Sequence, residues 1–227
     1  MKKTPNQVQN SQVIEEKLLE RIKLCKLPPL QRRSLPFECY WEDSILIQEQ
    51  KLIFSNQWLG LGRADRLETP GEYEAFELCG QALVLIRNQD KELRLYANTC
   101  RHRGAKLLDG AGQCQAISCP FHGWTYSLDG NLKHAKTMSE NPNFNFSEHS
   151  LIEYKLKELQ GFLFAFLGNQ PTDLDSQLGD FSELHQPWSL NELITTRREV
   201  FEVQCNWKAF LDVFNEYYHL NNVHPTS

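Results

Sequence analysis

Apolar residues return every four positions at Ile14, Leu18 and Ile22, while Glu15, Glu16 and Glu20 take the other faces. That period predicts an amphipathic helix opening at Ser11. Pro28, Pro29 and Pro36 stop it, so residues 27–36 read as a linker. A second amphipathic helix is predicted over residues 42–58, closed by the Gly60 and Gly62 pair. From about Arg63 the pattern shortens to strands. Residues 82–87 and 92–96 flank a polar turn at 88–91, and 124–127 and 131–134 flank Leu128-Asp129-Gly130, so each pair reads as a hairpin. Strands at 152–156 and 161–167 follow, the second being the longest apolar run. Residues 169–190 are acidic and rich in turn formers. Residues 195–204 then read as a strand leading into a last helix near 206–220.

Composition narrows the class. With 227 residues, 41% hydrophobic and 23% charged, the chain is long enough to bury a core and ordinary for a globular protein. Its net charge of −5 provides no field to hold nucleic acid or an anionic membrane. No apolar run approaches the ~20 residues of a membrane span. The opening MKKTPNQVQNSQ has lysines but no apolar stretch behind them, unlike a secretory signal. Cysteines number 7, odd in a chain too long to need disulfide staples, and with that opening they point to a reducing cytoplasm.

The chemistry starts at Cys100-Arg101-His102, followed after 16 residues by Cys119-Pro120-Phe121-His122. Each half places a thiol and an imidazole within chelating distance, in a loop beside predicted strands. Two sulfurs and two imidazoles suit tetrahedral zinc, although the usual finger keeps its cysteines in one half and its histidines in the other. One of each per half suits a binuclear cluster with both thiolates on one iron and both imidazoles on the other. Neutral imidazoles in place of thiolates make the cluster less negative and raise its reduction potential. The plainest alternative makes the four residues unrelated members of a core.

Cys100-Arg101-His102-Arg103-Gly104 and Cys119-Pro120-Phe121-His122-Gly123-Trp124 resemble the two ligand loops of a Rieske [2Fe-2S] domain, in the form found in Rieske non-haem iron oxygenases (aromatic-ring-hydroxylating oxygenases). Tyr126, Asp129 and Gly130 also stand where that family commonly has them. The resemblance implies Cys100 and Cys119 on one iron and His102 and His122 on the other. Arg103, Tyr126 and the amides of Gly104 and Gly123 are candidate donors to the sulfurs, and Trp124 is expected to pack over the cluster. Cys25, Cys39, Cys79, Cys114 and Cys205 match no ligand position and read as packing thiols.

A second cluster lies at residues 206–225. Trp207, Phe210, Leu211, Phe214 and Tyr218 form an apolar helical stripe, opposite Lys208, Asp212, Glu216 and His219. Such a polar stripe is ordinarily a solvated face. His219 and His224 are five apart and need a break in the helix to converge, expected at Asn221-Asn222. A carboxylate and two histidines suit non-haem Fe(II). Asn206-Trp207-Lys208, Glu216-x-Tyr218-His219 and His224-Pro225 resemble the start of the oxygenase catalytic domain. By that resemblance His219 and His224 bind the mononuclear iron, and Glu216 bridges an iron-ligand histidine to a cluster histidine of the neighbouring subunit. Asp212-Val213 departs from the Glu-Asn of many members. The family's third ligand, an Asp far downstream, is not in this chain, which therefore resembles the N-terminal portion of an alpha subunit.

The implied fold is α+β: a mainly antiparallel β Rieske domain flanked by N-terminal helices and followed by the start of a helix-grip (START-like) catalytic domain. Its divisions fall at 1–36 (helix and linker), 37–167 (Rieske domain with its preceding helix) and 168–227 (partial catalytic domain). The implied function is the oxygenase component of a Rieske mono- or dioxygenase. It draws on NAD(P)H through a reductase or ferredoxin and acts with O2 on a small organic substrate, in a homotrimer or a trimer of heterodimers. Aromatic acids, polycyclic aromatics and quaternary ammonium or N-methyl compounds are all open as substrates. Two other readings stand beside it: a Rieske electron-transfer protein without oxygenase activity, and a zinc-stabilised binding module.

Overall fold

A computed structural model describes residues 16–224; Ser11 and Ile14, at the start of the predicted first helix, lie outside the described residues. Two compact units form, one of the residues up to Gln48 together with those from Val200, the other of Glu49–Glu199. Among the described residues no helix is long and apolar enough to cross a membrane.

In the first unit α1 spans 16–23, with Leu18 and Ile22 its partly buried positions, in keeping with the four-residue period. Arg21 ties it to Glu38 (2.6 Å) at the start of α2 (Glu38–Trp41), and α3 (Asp43–Leu52) follows. The predicted second helix thus stops six residues early. Ser55 Oγ donates to the Gln50 carbonyl (2.8 Å) and Asn56 Nδ2 to that of Leu52 (3.1 Å), so side chains take over the last carbonyls of α3. Trp58, expected in the helix, instead opens a strand. Gly60 and Gly62 mark a bulge within that strand rather than a helix stop.

The second unit holds ten strands: β1 (Trp58–Arg63), β2 (Glu72–Leu78), β3 (Gln81–Arg87), β4 (Leu93–Ala97), β5 (Ala111–Gln113), β6 (Ile117–Ser118), β7 (Thr125–Tyr126), β8 (Leu132–His134), β9 (Glu153–Leu159) and β10 (Phe162–Phe166). Seven form one sheet in the order β1-β10-β9-β4-β3-β2-β5, and β6-β7-β8 form another. Every pairing is antiparallel. The result is the α+β, mainly antiparallel architecture expected, with both predicted hairpins in place.

β3 reads as an unbroken apolar run because both of its faces are buried. Leu83 and Leu85 join Leu95, Leu163 and Ala165 in one core. Val84 and Ile86 join Tyr96, Ile117, Trp124, Tyr126 and both predicted cysteine ligands in another. Gly130, at the tip of the β7–β8 hairpin, has φ of +75°, and a Cβ there would lie 2.7 Å from the Tyr96 ring. Only glycine satisfies both conditions.

Beyond β10 come α4 (Leu174–Leu178) and α5 (Phe181–Leu184). The strand expected at 195–204 does not form. A strand needs a ladder partner, and the first half of this segment is held by side chains instead: Thr195 Oγ1 donates to Asp65 (2.8 Å) and Arg198 to Glu74 (2.8 Å). In the first unit α6 (Trp207–Phe214) and α7 (Leu220–Val223) complete the described residues. The burial of α6 departs from expectation, with Lys208 its one buried residue. Lys208 is 8% exposed, whereas Phe214 and, beyond the helix, Tyr218 of the apolar stripe are 70% and 91% exposed.

Candidate metal centres

The loops carrying Cys100 and Cys119 are built alike. Cys100 N–H donates to the Ala105 carbonyl (2.8 Å), and Gly104 N–H returns to the Cys100 carbonyl (2.9 Å). Cys119 N–H donates to the Trp124 carbonyl (2.7 Å), and Gly123 N–H returns to the Cys119 carbonyl (3.0 Å). Gly104 and Gly123 take φ values of +71° and +70°, which L side chains rarely adopt. Two turns of one design therefore present Cys-x-His and Cys-x-x-His.

The thiols go in and the imidazoles go out. Cys100 and Cys119 are both buried within one core cluster, while His102 is partly buried and His122 exposed. The two imidazole rings lie 4.8 Å apart. His102 stacks on Trp124, and the exposed Phe121 ring lies 3.8 Å from His122. His102 and His122, with Trp124, Lys136, Thr137 and Met138, line an open depression of about 440 Å³.

One atom tests whether a metal group fits here. His102 Nδ1 is buried and has no hydrogen-bond partner, an arrangement that costs free energy unless another acceptor of its lone pair is supplied. Dehydrated surroundings, then the charges of His122 and Arg103, hold His102 below its ordinary pKa, which favours the neutral form. The donor set of two buried thiols and two imidazoles fits a binuclear cluster with two ligands per iron. Among the described residues no group of three or more His, Cys, Asp or Glu side chains is placed to hold one metal ion.

Tyr126, fully buried, lies with its hydroxyl 3.3 Å from Cys100 Sγ. The same oxygen accepts from Arg101 N–H (3.0 Å), which leaves the hydroxyl proton for the sulfur. Burial and that sulfur contact hold the phenol well above its usual range, and it remains a donor. Arg103 is exposed and acts on the site through its charge on His102. Sequence reading missed Asn98, fully buried beside the first loop. Its Nδ2 donates to the Leu108 carbonyl (2.7 Å) and its Oδ1 accepts from Leu108 N–H (2.9 Å). It also missed Asn88, buried, which donates to Asp129 (3.0 Å) and steadies the β7–β8 hairpin. Neither asparagine has a motif to announce it; only position opposite a loop gives it a role.

The second candidate centre is in the first unit. The break expected between the histidines does not form: Asn221 and Asn222 lie inside α7, which His219 and His224 cap, and the chain breaks before His219 instead, where α6 ends at Phe214. The cause is Glu216, whose Oε2 accepts from the backbone N–H of Tyr218 and of His219 and so starts a new turn. Its Oε1 accepts from His219 Nδ1. That bond is the main cause holding Glu216 below the usual carboxylate range. An ionised carboxylate only accepts, so His219 carries a proton on Nδ1. The His219 and His224 rings stand 5.7 Å apart at 73°. The geometry brings Glu216, His219 and His224 together, with Glu216 spent on orienting a ring rather than completing a triad.

Comparison with known proteins agrees with the fold and the loops. The Rieske [2Fe-2S] domain family matches residues 57–153, and the ring hydroxylating alpha subunit (catalytic domain) family matches residues 190–227. The chain thus carries a Rieske iron–sulfur domain followed by part of a ring-hydroxylating catalytic domain. It corresponds to the N-terminal portion of a Rieske oxygenase alpha subunit. It is 33% identical over 195 residues to a carnitine monooxygenase oxygenase subunit of Acinetobacter pittii, covering 85% of this chain and 53% of that protein. It is 30% identical over 194 residues to a glycine betaine monooxygenase oxygenase subunit of Chromohalobacter salexigens, covering 85% and 43%. The crystal structure of a quaternary ammonium Rieske monooxygenase in complex with L-carnitine superposes with a TM-score of 0.77 at 33% identity, over 84% of this chain and 55% of that one. The chain spans about half the length of these relatives.

Proposed function

We propose that this chain is the electron-accepting portion of an oxygenase component, in which Cys100 and Cys119 hold one iron of a [2Fe-2S] cluster, His102 and His122 hold the other, and His219 and His224 hold a mononuclear Fe(II). The observation that carries this reading is a buried, unpartnered His102 Nδ1 beside two loops of one design with buried thiols. When bound, the cluster stores one electron and the mononuclear iron activates dioxygen.

The remaining work belongs to the chain's own groups. Tyr126 donates toward Cys100 Sγ, which favours the more negative, reduced state. Trp124 and the surrounding apolar residues exclude water from the thiols. Glu216 keeps the proton of His219 on Nδ1, so Nε2 is the atom offered to a metal. In the assembled protein Glu216 bridges His219 to a cluster histidine of a neighbouring subunit, in a homotrimer or a trimer of heterodimers. A reductase, with or without a ferredoxin, supplies electrons from NAD(P)H in the cytoplasm. Residues 37–167 form the Rieske domain with its preceding helix, residues 168–227 open the catalytic domain, and residues 1–36 precede both. The carnitine and glycine betaine monooxygenase relatives support a quaternary ammonium substrate, oxidised with O2.

The test is anaerobic reconstitution followed by visible absorption and iron analysis. A coloured protein with about three irons per chain is the expected result. A coloured protein with about two irons favours an electron-transfer protein. A colourless product overturns the cluster.

A further inference from the structure

We infer that Tyr40 and Asp212 are positioning residues for the histidine pair His219 and His224; the inference rests on the proposed reading of that pair as a metal site. Tyr40, in α2, donates its hydroxyl to Asp212 Oδ2 in α6. The Asp212 bond, then burial, pushes the phenol up to about 12, so it keeps its proton at any physiological pH. One turn earlier on α6, Lys208 is buried with its ammonium 5.9 Å from the Tyr40 ring centre and 5.1 Å from that of Trp207.

By these contacts α6 is tied to α2. Its apolar stripe is largely exposed, with Phe210 at 46% and Leu211 at 43%. Positions 208 and 212 lie one turn apart on α6, and the helix ends two residues after Asp212, just before Glu216. The last helical bond runs from Asn215 N–H to the Leu211 carbonyl (2.9 Å). Glu216 comes next and orients His219. A slip of α6 by one turn would carry Glu216 and His219 about 5.4 Å, far beyond the tolerance of a metal–nitrogen bond. Asp212, which departs from the family's usual residue, thereby gains a role.

The test uses the whole chain, reconstituted with its iron–sulfur cluster and titrated with Co(II), read by the ligand-field absorption of the bound ion. Tyr40→Phe and Asp212→Ala should each weaken Co(II) binding about tenfold, the size of effect expected for a group acting through a ligand. The double variant should be no weaker than either single one. Asp212→Asn, which keeps an acceptor oxygen, should stay within about threefold of the unsubstituted chain. Cluster absorption per chain should be unchanged throughout. Tyr40→Phe binding Co(II) as the unsubstituted chain does, an additive double variant, or loss of cluster colour would overturn the inference. His219→Ala separates the two levels. If it leaves Co(II) binding intact, the metal site falls and the inference with it; if it abolishes binding while Tyr40→Phe does not weaken it, only the inference falls.

Discussion

The imidazole of His102 lies face to face on the indole of Trp124, with ring centres 4.7 Å apart and planes 11° from parallel. Trp124 is itself buried and braced edge-on by Phe144 (5.6 Å) and His149 (5.7 Å). The ring is thus oriented by packing alone, while its Nδ1 makes no hydrogen bond. A ring held this way leaves Nδ1 without a side-chain acceptor.

Trp124→Ala should destabilise the protein by about 3–5 kcal/mol, the usual cost of emptying a buried aromatic site. It should also speed loss of visible absorption under a chelator. Trp124→Phe, which retains a flat ring, should lose less on both counts. Thermal denaturation followed by circular dichroism and by cluster absorption checks the pair.

Tyr126→Phe removes the hydroxyl that faces Cys100 Sγ and accepts from Arg101 N–H. The cluster should remain, because no ligand is touched. Its reduction potential should fall on the order of 60 mV, a tenfold change in a one-electron equilibrium. Direct electrochemistry measures this, and an unchanged potential would exclude the hydroxyl as a donor to the sulfur.

Asn98→Ala leaves the N–H and carbonyl of Leu108 without their partner. An unmet buried polar group costs about 1–3 kcal/mol, so chemical denaturation should show a loss of at least about 2 kcal/mol. Cluster occupancy should drop with it, because the asparagine closes the base of the first ligand loop.

Alkaline titration should register the Tyr40–Asp212 bond. Tyr40 is raised to about 12 in the folded chain, above its ordinary value of about 10. A raised folded value means the bond's contribution is fully present below about pH 10 and is lost as pH rises through about 12. The stability difference between the unsubstituted chain and Tyr40→Phe should therefore be flat at neutral pH and shrink across that alkaline window. Asp212→Asn should return Tyr40 ionisation toward its ordinary range, as read by tyrosinate absorbance.

Much of the site could be read from the chain because its logic is local. The Cys-x-His and Cys-x-x-His spacings, and the glycine closing each turn, work within five or six residues, and the structure places Gly104 and Gly123 in matching left-handed conformations. The β3–β4 hairpin was legible for the same reason, since its polar turn lies between two apolar runs. Trp58 was not, because an aromatic residue after an amphipathic helix suits helix or strand equally until β10 pairs with it. Asn98 was not, because a buried amide looks like any loop amide before its partner Leu108 is in view.

From the order of residues alone came the two Cys–His loops, the antiparallel strands and the closeness of Glu216 to His219, all governed by short-range spacing and backbone preference. Folding in three dimensions decided that Lys208 of α6 is buried, where the chain breaks before His219, and that His102 Nδ1 stays unpaired. Each of those outcomes turns on groups brought in from elsewhere, such as Tyr40 meeting Asp212 across 172 positions. Periodicity measures how polar a face is; what that face meets is set by the rest of the fold.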